Sequence, residues 1–264
     1  MSPILRERGS IIGRKLQGVY MSYQVKLISR EKLTAEIALF RVEKPQGFQF
    51  LPGQYCLVSV PPTGFQDDRG LRRPLSIASS PLEKELLFLT KLSESAFKRT
   101  MAEMAPGAAI ILDQPLGSLT LPADTATPLA FLAGGVGIAP FRSICRYATD
   151  AATGHAITLF YSGRTPEETP FVEELQRMPQ QNSRLRSVVT MTRVEDPKKW
   201  SGLSGRLTGE MVKAGCAAWE SAQYYIAGPP AMTDAMKQTL DAMGIPAARV
   251  KIELFAGYEA PKPR

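Results

Sequence analysis

The chain has 264 residues, 44% of them apolar, with 32 basic side chains against 25 acidic ones and a formal charge of +7. That is apolar material for two ordinary domains with real cores, and no run approaches the eighteen or so unbroken apolar residues of a membrane span. Residues 1–20 carry +3 of the excess, and the rest is spread without the aromatic-interleaved basic stripe of a nucleic-acid binder, so the charge favours at most an acidic protein partner.

The first stretch, "MSPILRERGSIIGRKLQGVYM", has charges but no apolar block of a secretory signal. A cytoplasmic setting is expected, with residues 1–21 as an N-terminal extension. From Ser22 the apolar pattern is short and strand-like. "YQVKLISR", "EIALFRVEKP", "GQYCLVSVPP", "RPLSIAS" and "KELLFLTKL" follow one another, separated by Gly, Pro and charged turns. One helix interrupts them: "SAFKRTMAEMAPG" has Phe97, Met101 and Met104 at spacings of four and three and ends in Pro-Gly. Many short strands with one helix predict a small antiparallel barrel over residues 22–124.

Past the prolines at 122 and 128 the pattern changes to alternating strands and helices. "PLAFLA", "AITLFY", "RSVVTM", "QYYIA" and "VKIELF" read as buried strands. Between them "PFRSICRYATDA", "PFVEELQRM", "GEMVKAGCAAW" and "PAMTDAMKQTLDAMG" read as helices. In the last, Met232, Met236, Leu240 and Met243 share one face, which is core packing rather than a cofactor box, and Gly244 stands as its C-terminal cap. Five such strands imply a parallel sheet with right-handed crossovers over residues 125–264.

The chemistry sits in the turns. "PLAFLA" runs into "GGVGIAP" and then a helix expected to begin at Pro140; Gly134, Gly135, Val136 and Gly137 form a turn that brings backbone close to a pyrophosphate at a helix N-terminus. It is not a GxGxxG, and a tight strand–helix connection alone would explain it. "YIAGPPAM", with Ala227, Gly228, Pro229 and Met232, puts a second glycine turn at a strand end on the same sheet edge. "LRRPLSIASSP" places two arginines before a proline, a pattern that suggests an anion close to the backbone. Cys56, Cys145 and Cys216 are scattered, which predicts neither an iron–sulfur cluster of four thiolates nor a disulfide framework. The single histidine, His155, makes a histidine metal site or a Ser-His-Asp triad implausible and is expected as a solvated loop residue; no metal site is predicted.

Taken in order, "FLPGQYCLVSVP", "RRPLSIASSP", "GGVGIAP", "LFYSGRTPEE", "GRLT", "YIAGPPAM" and "IELFAGY" resemble the ferredoxin–NADP reductase superfamily over about residues 22–258. The resemblance implies a two-domain protein: an N-terminal antiparallel β-barrel for FAD and a C-terminal α/β parallel-sheet domain for NAD(P), with no fused iron–sulfur domain. It implies an NAD(P)H-dependent flavoprotein reductase that passes electrons to a separate acceptor such as ferredoxin, flavodoxin or an oxygenase component. A free-flavin or small-acceptor reductase, an electron-transfer subunit without its own turnover and a non-catalytic nucleotide-binding regulator are the alternatives.

By resemblance Arg73 pairs with the flavin pyrophosphate and Ser76 bonds near flavin N5, with Pro74 and Leu75 between them and Thr90 and Lys91 alongside. Leu75 stands where the family has tyrosine. The second flavin motif is degenerate, Ser95-Ala96-Phe97-Lys98, and Lys98, Arg99 and Thr100 are its expected phosphate contacts, which favours FAD over FMN. Phe255 and Tyr258 are candidates to cover the flavin, in which role they and Ser76 are the catalytic set; Phe255 is equally readable as core. Ser162, Arg164, Thr192 and Arg193 end the second and third parallel strands; Thr192-Arg193 resembles the family's pair at the 2′-phosphate, and a guanidinium with two hydroxyls suits that group, so NADPH is expected over NADH.

Overall fold

The computed structural model describes residues 11–12, 21–194, 196 and 199–254. The first sheet is built from β1 (Ile11–Ile12), β2 (Ser22–Lys32), β3 (Ile37–Glu43), β4 (Tyr55–Ser59), β5 (Arg72–Ser76), β6 (Glu85–Lys91) and β7 (Ala109–Asp113). Six of these run antiparallel in the order β5-β4-β7-β2-β3-β6, and β1 pairs with β2. An antiparallel bridge between Ile77 and Phe88, with the Ala78 N–H donating to the Leu87 carbonyl at 2.8 Å, joins the two ends into a nearly closed barrel. Tyr23, Val25 and Leu27 alternate inward along β2, and α1 (Ala96–Glu103) inserts Phe97 and Met101 into the same core. Strand β7 is absent from the sequence expectation. Its three consecutive apolar residues, Ile110 to Leu112, hide the alternation that buries only Ile110 and Leu112.

The second sheet is wholly parallel, made of β8 (Leu129–Gly134), β9 (Ile157–Gly163), β10 (Leu185–Met191), β11 (Leu203–Ser204), β12 (Gln223–Gly228) and β13 (Val250–Leu254). Its order is β11-β10-β9-β8-β12-β13, so the winding reverses between β8 and β12. That reversal opens a crevice at the carboxyl ends of these two strands. The helices α2 (Ile138–Asp150), α3 (Val172–Gln181), α4 (Gly209–Gly215) and α5 (Pro230–Ala242) cover it. Helix α2 begins two residues before the expected Pro140, after a 3₁₀ turn at Gly135–Gly137. Met236 and Leu240 are buried beneath α5 with Met232 and Met243 packed beside them, and Gly244 takes φ +80°, as a capping glycine does.

The two sheets share a hydrophobic core. Ile37, Leu39, Leu87 and Leu89 on the barrel wall pack into one cluster with Phe131, Phe141 and Ile144 of the parallel half. At its rim Arg142, 6% exposed, spans both halves. Its guanidinium donates to the Ala78 carbonyl at 2.9 Å and to Glu83 at 3.0 Å on the barrel side, and to Glu174 of α3 at 2.8 and 2.9 Å. The Phe171 ring lies 4.7 Å from its carbon centre. Beside it the Ser143 hydroxyl donates to the Ser79 carbonyl at 2.6 Å.

His155 corrects the expectation of a solvated loop residue. It is 6% exposed, with Nδ1 2.8 Å from the Thr153 hydroxyl and Nε2 3.0 Å from the Pro122 carbonyl. A carbonyl can only accept, so in the neutral ring Nε2 carries the proton. The histidine ties the connection between the sheets to the loop before β9. The glycine at 154, with φ +80°, turns the chain so that the ring points inward.

Arg142→Ala leaves two carboxylates without their cation and opens the junction. It is expected to lower unfolding stability by about 3 kcal/mol, within the range for breaking a largely buried pair from one side, read as a lower denaturant midpoint.

Candidate functional site

Strand β5 carries Arg73-Pro74-Leu75-Ser76 along one wall of a cleft between barrel and parallel sheet. Proline is tolerated there because β5 pairs along its length only with β4. The cleft, about 630 Å³, is lined by Arg69, Arg73, Pro74, Leu75, Ser76, Leu89, Thr90, Ser93, Ser95, Phe97, Lys98, Val136 and Ala139. Three of these are cations and none is a carboxylate. Arg73 Nη1 is satisfied by the carbonyls of Arg69, Gly70 and Arg72 at 2.5, 3.0 and 2.7 Å, which fixes the guanidinium. Its Nη2 is buried and makes no hydrogen bond among the described residues; the same is true of Ser95 Oγ. Burial and the nearby Arg69 hold the Arg73 guanidinium below its ordinary pKa. Burial and then Arg69, Lys91 and Arg73 do the same to the Lys98 ammonium. Clustered cations, two of them held below their ordinary pKa first by burial, with Arg73 Nη2 free of any hydrogen bond among the described residues, suit an anion, and a flavin's pyrophosphate fits that need.

The second cleft lies at the crevice between β8 and β12 and is larger, about 1620 Å³. Gly134, Gly135, Val136, Ser162, Arg164, Thr192, Pro229 and Met232 line it, together with Lys91, Glu36, Glu168 and Arg206. The glycines divide the work. Gly135 has φ +54° and nothing within 4 Å of where a Cβ would stand. At Gly137 a Cβ would fall 2.2 Å from the Ala227 carbonyl oxygen and 2.6 Å from Gly228 N, so the two glycine turns pack backbone on backbone. Gly137, Ala227 and Gly228 therefore hold the two turns together and, against the expectation of direct cofactor contacts, do not line the cleft. Gly137 serves the tight connection, while Gly135 leaves its backbone open. Glu36 reaches across from the barrel, 2.8 Å from Lys91 and 3.5 Å from Arg164. The Lys91 ammonium holds its carboxyl below the usual range.

Val136 belongs to both clefts, and Thr90 of the first adjoins Lys91 of the second. At this junction the buried Ser76 hydroxyl donates to Glu253 Oε1 at 3.3 Å. Glu253 sits on β13 in register with Ala227 of β12. Burial pushes its carboxyl up to about 7, against the pull of the Ser76 hydrogen bond.

The structure gathers Arg73, Pro74, Leu75, Ser76, Thr90 and Lys98 at the first cleft and moves Lys91 to the second. Arg99 and Thr100 depart from the expectation and line neither. The helical turn carries them away from the Ser95–Lys98 face, Arg99 onto the Phe65 ring at 3.9 Å and Thr100 onto the Thr63 hydroxyl at 2.8 Å. Arg193 is exposed and outside the lining; Arg206, in the "GRLT" stretch, faces the second cleft instead. Glu168 also lines it, brought in by a 3₁₀ turn at Pro166–Glu168 that no strand pattern reveals. Glu253 was hidden inside an apolar strand, where a lone carboxylate in "VKIELF" was its one signal. Phe255 and Tyr258 lie outside the described residues.

Residues 131–238 match the family model described as an oxidoreductase NAD-binding domain. The chain is 30% identical over 234 residues to the ferredoxin–NAD(+) reductase component of the alkene monooxygenase system of Xanthobacter autotrophicus (strain ATCC BAA-1158 / Py2), covering 86% of this chain and 68% of that protein. It is 26% identical over 231 residues to the reductase component of propane 2-monooxygenase from Rhodococcus jostii (strain RHA1), covering 85% of this chain and 61% of that one. The chain thus spans about two thirds of the length of these two relatives. Among solved structures, a ferredoxin NADP+ reductase from Neisseria gonorrhoeae with bound FAD and NADP aligns with a TM-score of 0.71 at 26% identity, covering 88% of this chain and 98% of that one.

Glu253 supplies a test by pH. Its folded pKa of about 7 lies above the ordinary 4.5, so the folded state keeps a proton that the unfolded chain releases. Its contribution is fully present below about pH 4.5 and is lost as pH rises to about 7, roughly 3 kcal/mol across the window. Glu253→Gln is expected to flatten that part of the stability–pH curve, read by thermal melts at pH 5 and 8.

Proposed function

Since the chain belongs to the ferredoxin–NADP reductase superfamily, we propose that it is an NAD(P)H-oxidising flavoprotein reductase. In this reading it holds FAD on residues 22–124 and the nicotinamide dinucleotide on residues 125–264. One observation carries the reading: an anion-seeking cleft on the barrel and a dinucleotide-type cleft at the winding reversal share a wall at Val136.

A bound flavin would supply the chemistry of hydride acceptance from reduced nicotinamide and of onward electron transfer. The chain's own residues bind and align. Arg73 and Lys98 would hold the flavin pyrophosphate, and Leu75 lines the same cleft where the family has tyrosine. The glycine turn admits the dinucleotide backbone against the start of α2. Ser76 and Glu253 form a proton-holding pair where the clefts join, with the proton on the Glu253 carboxyl below about pH 7. The histidine, tied to Pro122, takes no part.

The acceptor is a separate redox protein, a ferredoxin, flavodoxin or oxygenase component, or a small molecule. Relatives named as reductase components of monooxygenase systems support the protein acceptor. A cytoplasmic setting is part of this reading, since NAD(P)H is supplied there. No helix among the described residues is long and apolar enough to cross a membrane.

Purified protein is expected to be yellow, to release FAD rather than FMN on heating, and to reduce ferricyanide with NAD(P)H. Arg73→Ala is expected to weaken flavin binding by about 1.5–3 kcal/mol, the span for a hydrogen bond to a charged group, measured by flavin fluorescence titration.

For the donor we propose NADPH. Lys91, Arg164 and Arg206 outnumber Glu36 and Glu168 in the second cleft, and Arg206 forms no salt bridge among the described residues. The ratio of kcat/KM for NADPH over NADH is expected to exceed one. Arg206→Ala is expected to remove about 1.5 kcal/mol of that preference while Arg193→Ala keeps it.

A further inference from the structure

The loop between β4 and β5 carries an internal anion to the edge of the flavin cleft. Asp67 Oδ2 accepts from the Ala96 N–H, the first helical amide of α1, at 2.7 Å, and Oδ1 accepts from the Arg69 N–H at 2.9 Å. The same Oδ1 lies 3.7 Å from Arg73 Nη2, the buried nitrogen without a hydrogen bond. The Asp67 side chain is 27% exposed and the Arg73 side chain 11%. The carboxylate thus takes an amide that would otherwise serve a cofactor phosphate, and it stands beside the guanidinium that such a phosphate would seek.

We propose that Asp67 is an affinity-determining residue of the flavin site: its carboxylate competes with the cofactor's phosphate groups for the first amide of α1 and for Arg73. The inference rests on the reading of this cleft as the flavin site. Two like charges drawn to one cation and one helix start repel each other, so a bound pyrophosphate works against Asp67 and is held less tightly than the cations alone would allow. Arg73 cannot turn away to relieve the conflict, because three loop carbonyls fix its other nitrogen. The amide of Ala96 and the cations around the cleft keep Asp67 ionised, its carboxyl held below the usual range first by that backbone hydrogen bond. The conflict therefore persists at every ordinary working pH.

Asp67→Asn removes the charge and keeps one of the two acceptors: its single amide oxygen can take the Ala96 N–H at the helix start, while the bond to the Arg69 N–H is lost, and matched thermal melts check that the turn holds. Full-chain wild type and variant, freed of flavin at high salt, are titrated with FAD and with riboflavin, which has the ring but no phosphate. The variant is expected to bind FAD about tenfold more tightly, with unchanged affinity for riboflavin. Equal or weaker FAD binding by the variant overturns the proposal, and so does an equal gain for both ligands, which would trace to the ring pocket. A wild type that binds neither ligand removes the flavin reading of the cleft and the proposal with it, whereas normal FAD binding with an inert Asp67 removes the proposal alone.

Discussion

Arg142 is the constraint from which the arrangement of the site follows. It belongs to α2, the helix that begins right after the glycine turn, and its guanidinium is shared between Glu83 and the Ala78 carbonyl of the barrel side and Glu174 of α3. A buried arginine is tolerable only with its donors satisfied, and here partners on both halves satisfy them together. The helix cannot rotate or slide without breaking one set. The glycine turn is thereby held against the barrel, which is why Val136 can wall both clefts. The continuous core from Leu87 and Leu89 to Phe131 and Ile144 backs the same contact with apolar area.

Electrostatics in the two clefts follow one plan. Each presents clustered cations, Arg69, Arg73 and Lys98 in one and Lys91, Arg164 and Arg206 in the other, and each has a carboxylate of the barrel side at its edge, Asp67 or Glu36. Clustered like charges cost stability in the empty protein, and the carboxylates offset part of that cost. The same carboxylates oppose an anionic ligand on arrival. Binding strength at such sites is a difference between two sets of contacts, so the resting contacts matter as much as those made to the ligand.

The junction of the clefts works by desolvation. Ser76 and Glu253 come from strands far apart in sequence and meet where barrel and parallel sheet close over them. Removing water from the carboxyl raises its pKa to about 7, a value at which one proton can be held or released near neutral pH. A chain with one histidine, itself tied up by Thr153 and Pro122, thus still owns a group that titrates near neutrality.

Much was legible in the sequence because it depends on local pattern. Alternation in "YQVKLISR", the apolar runs of "PLAFLA" and "QYYIA", and the stripe through Met236 and Leu240 are periodicities that backbone geometry imposes, and they predicted the barrel, the parallel sheet and their order. The glycine turns at two strand ends of one sheet edge were legible too, since the close backbone approach at Gly137 leaves no room for a side chain. What the sequence could not carry were facts of long range. Strand β7 hides its alternation in an unbroken apolar run, and it is a strand because β2 and β4 flank it. His155 looked solvated because nothing local reveals that Pro122 will lie against it. Arg99, Thr100 and Arg193 carry suitable chemistry but the wrong direction, for a side chain's aim depends on the turn of its own element relative to a partner. Glu253 and Asp67 acquire their roles only from neighbours 177 and 29 positions away. Local pattern determined which elements form and where the backbone turns for a ligand; burial and charge proximity, which exist only once distant segments pack, decided which side chains face it.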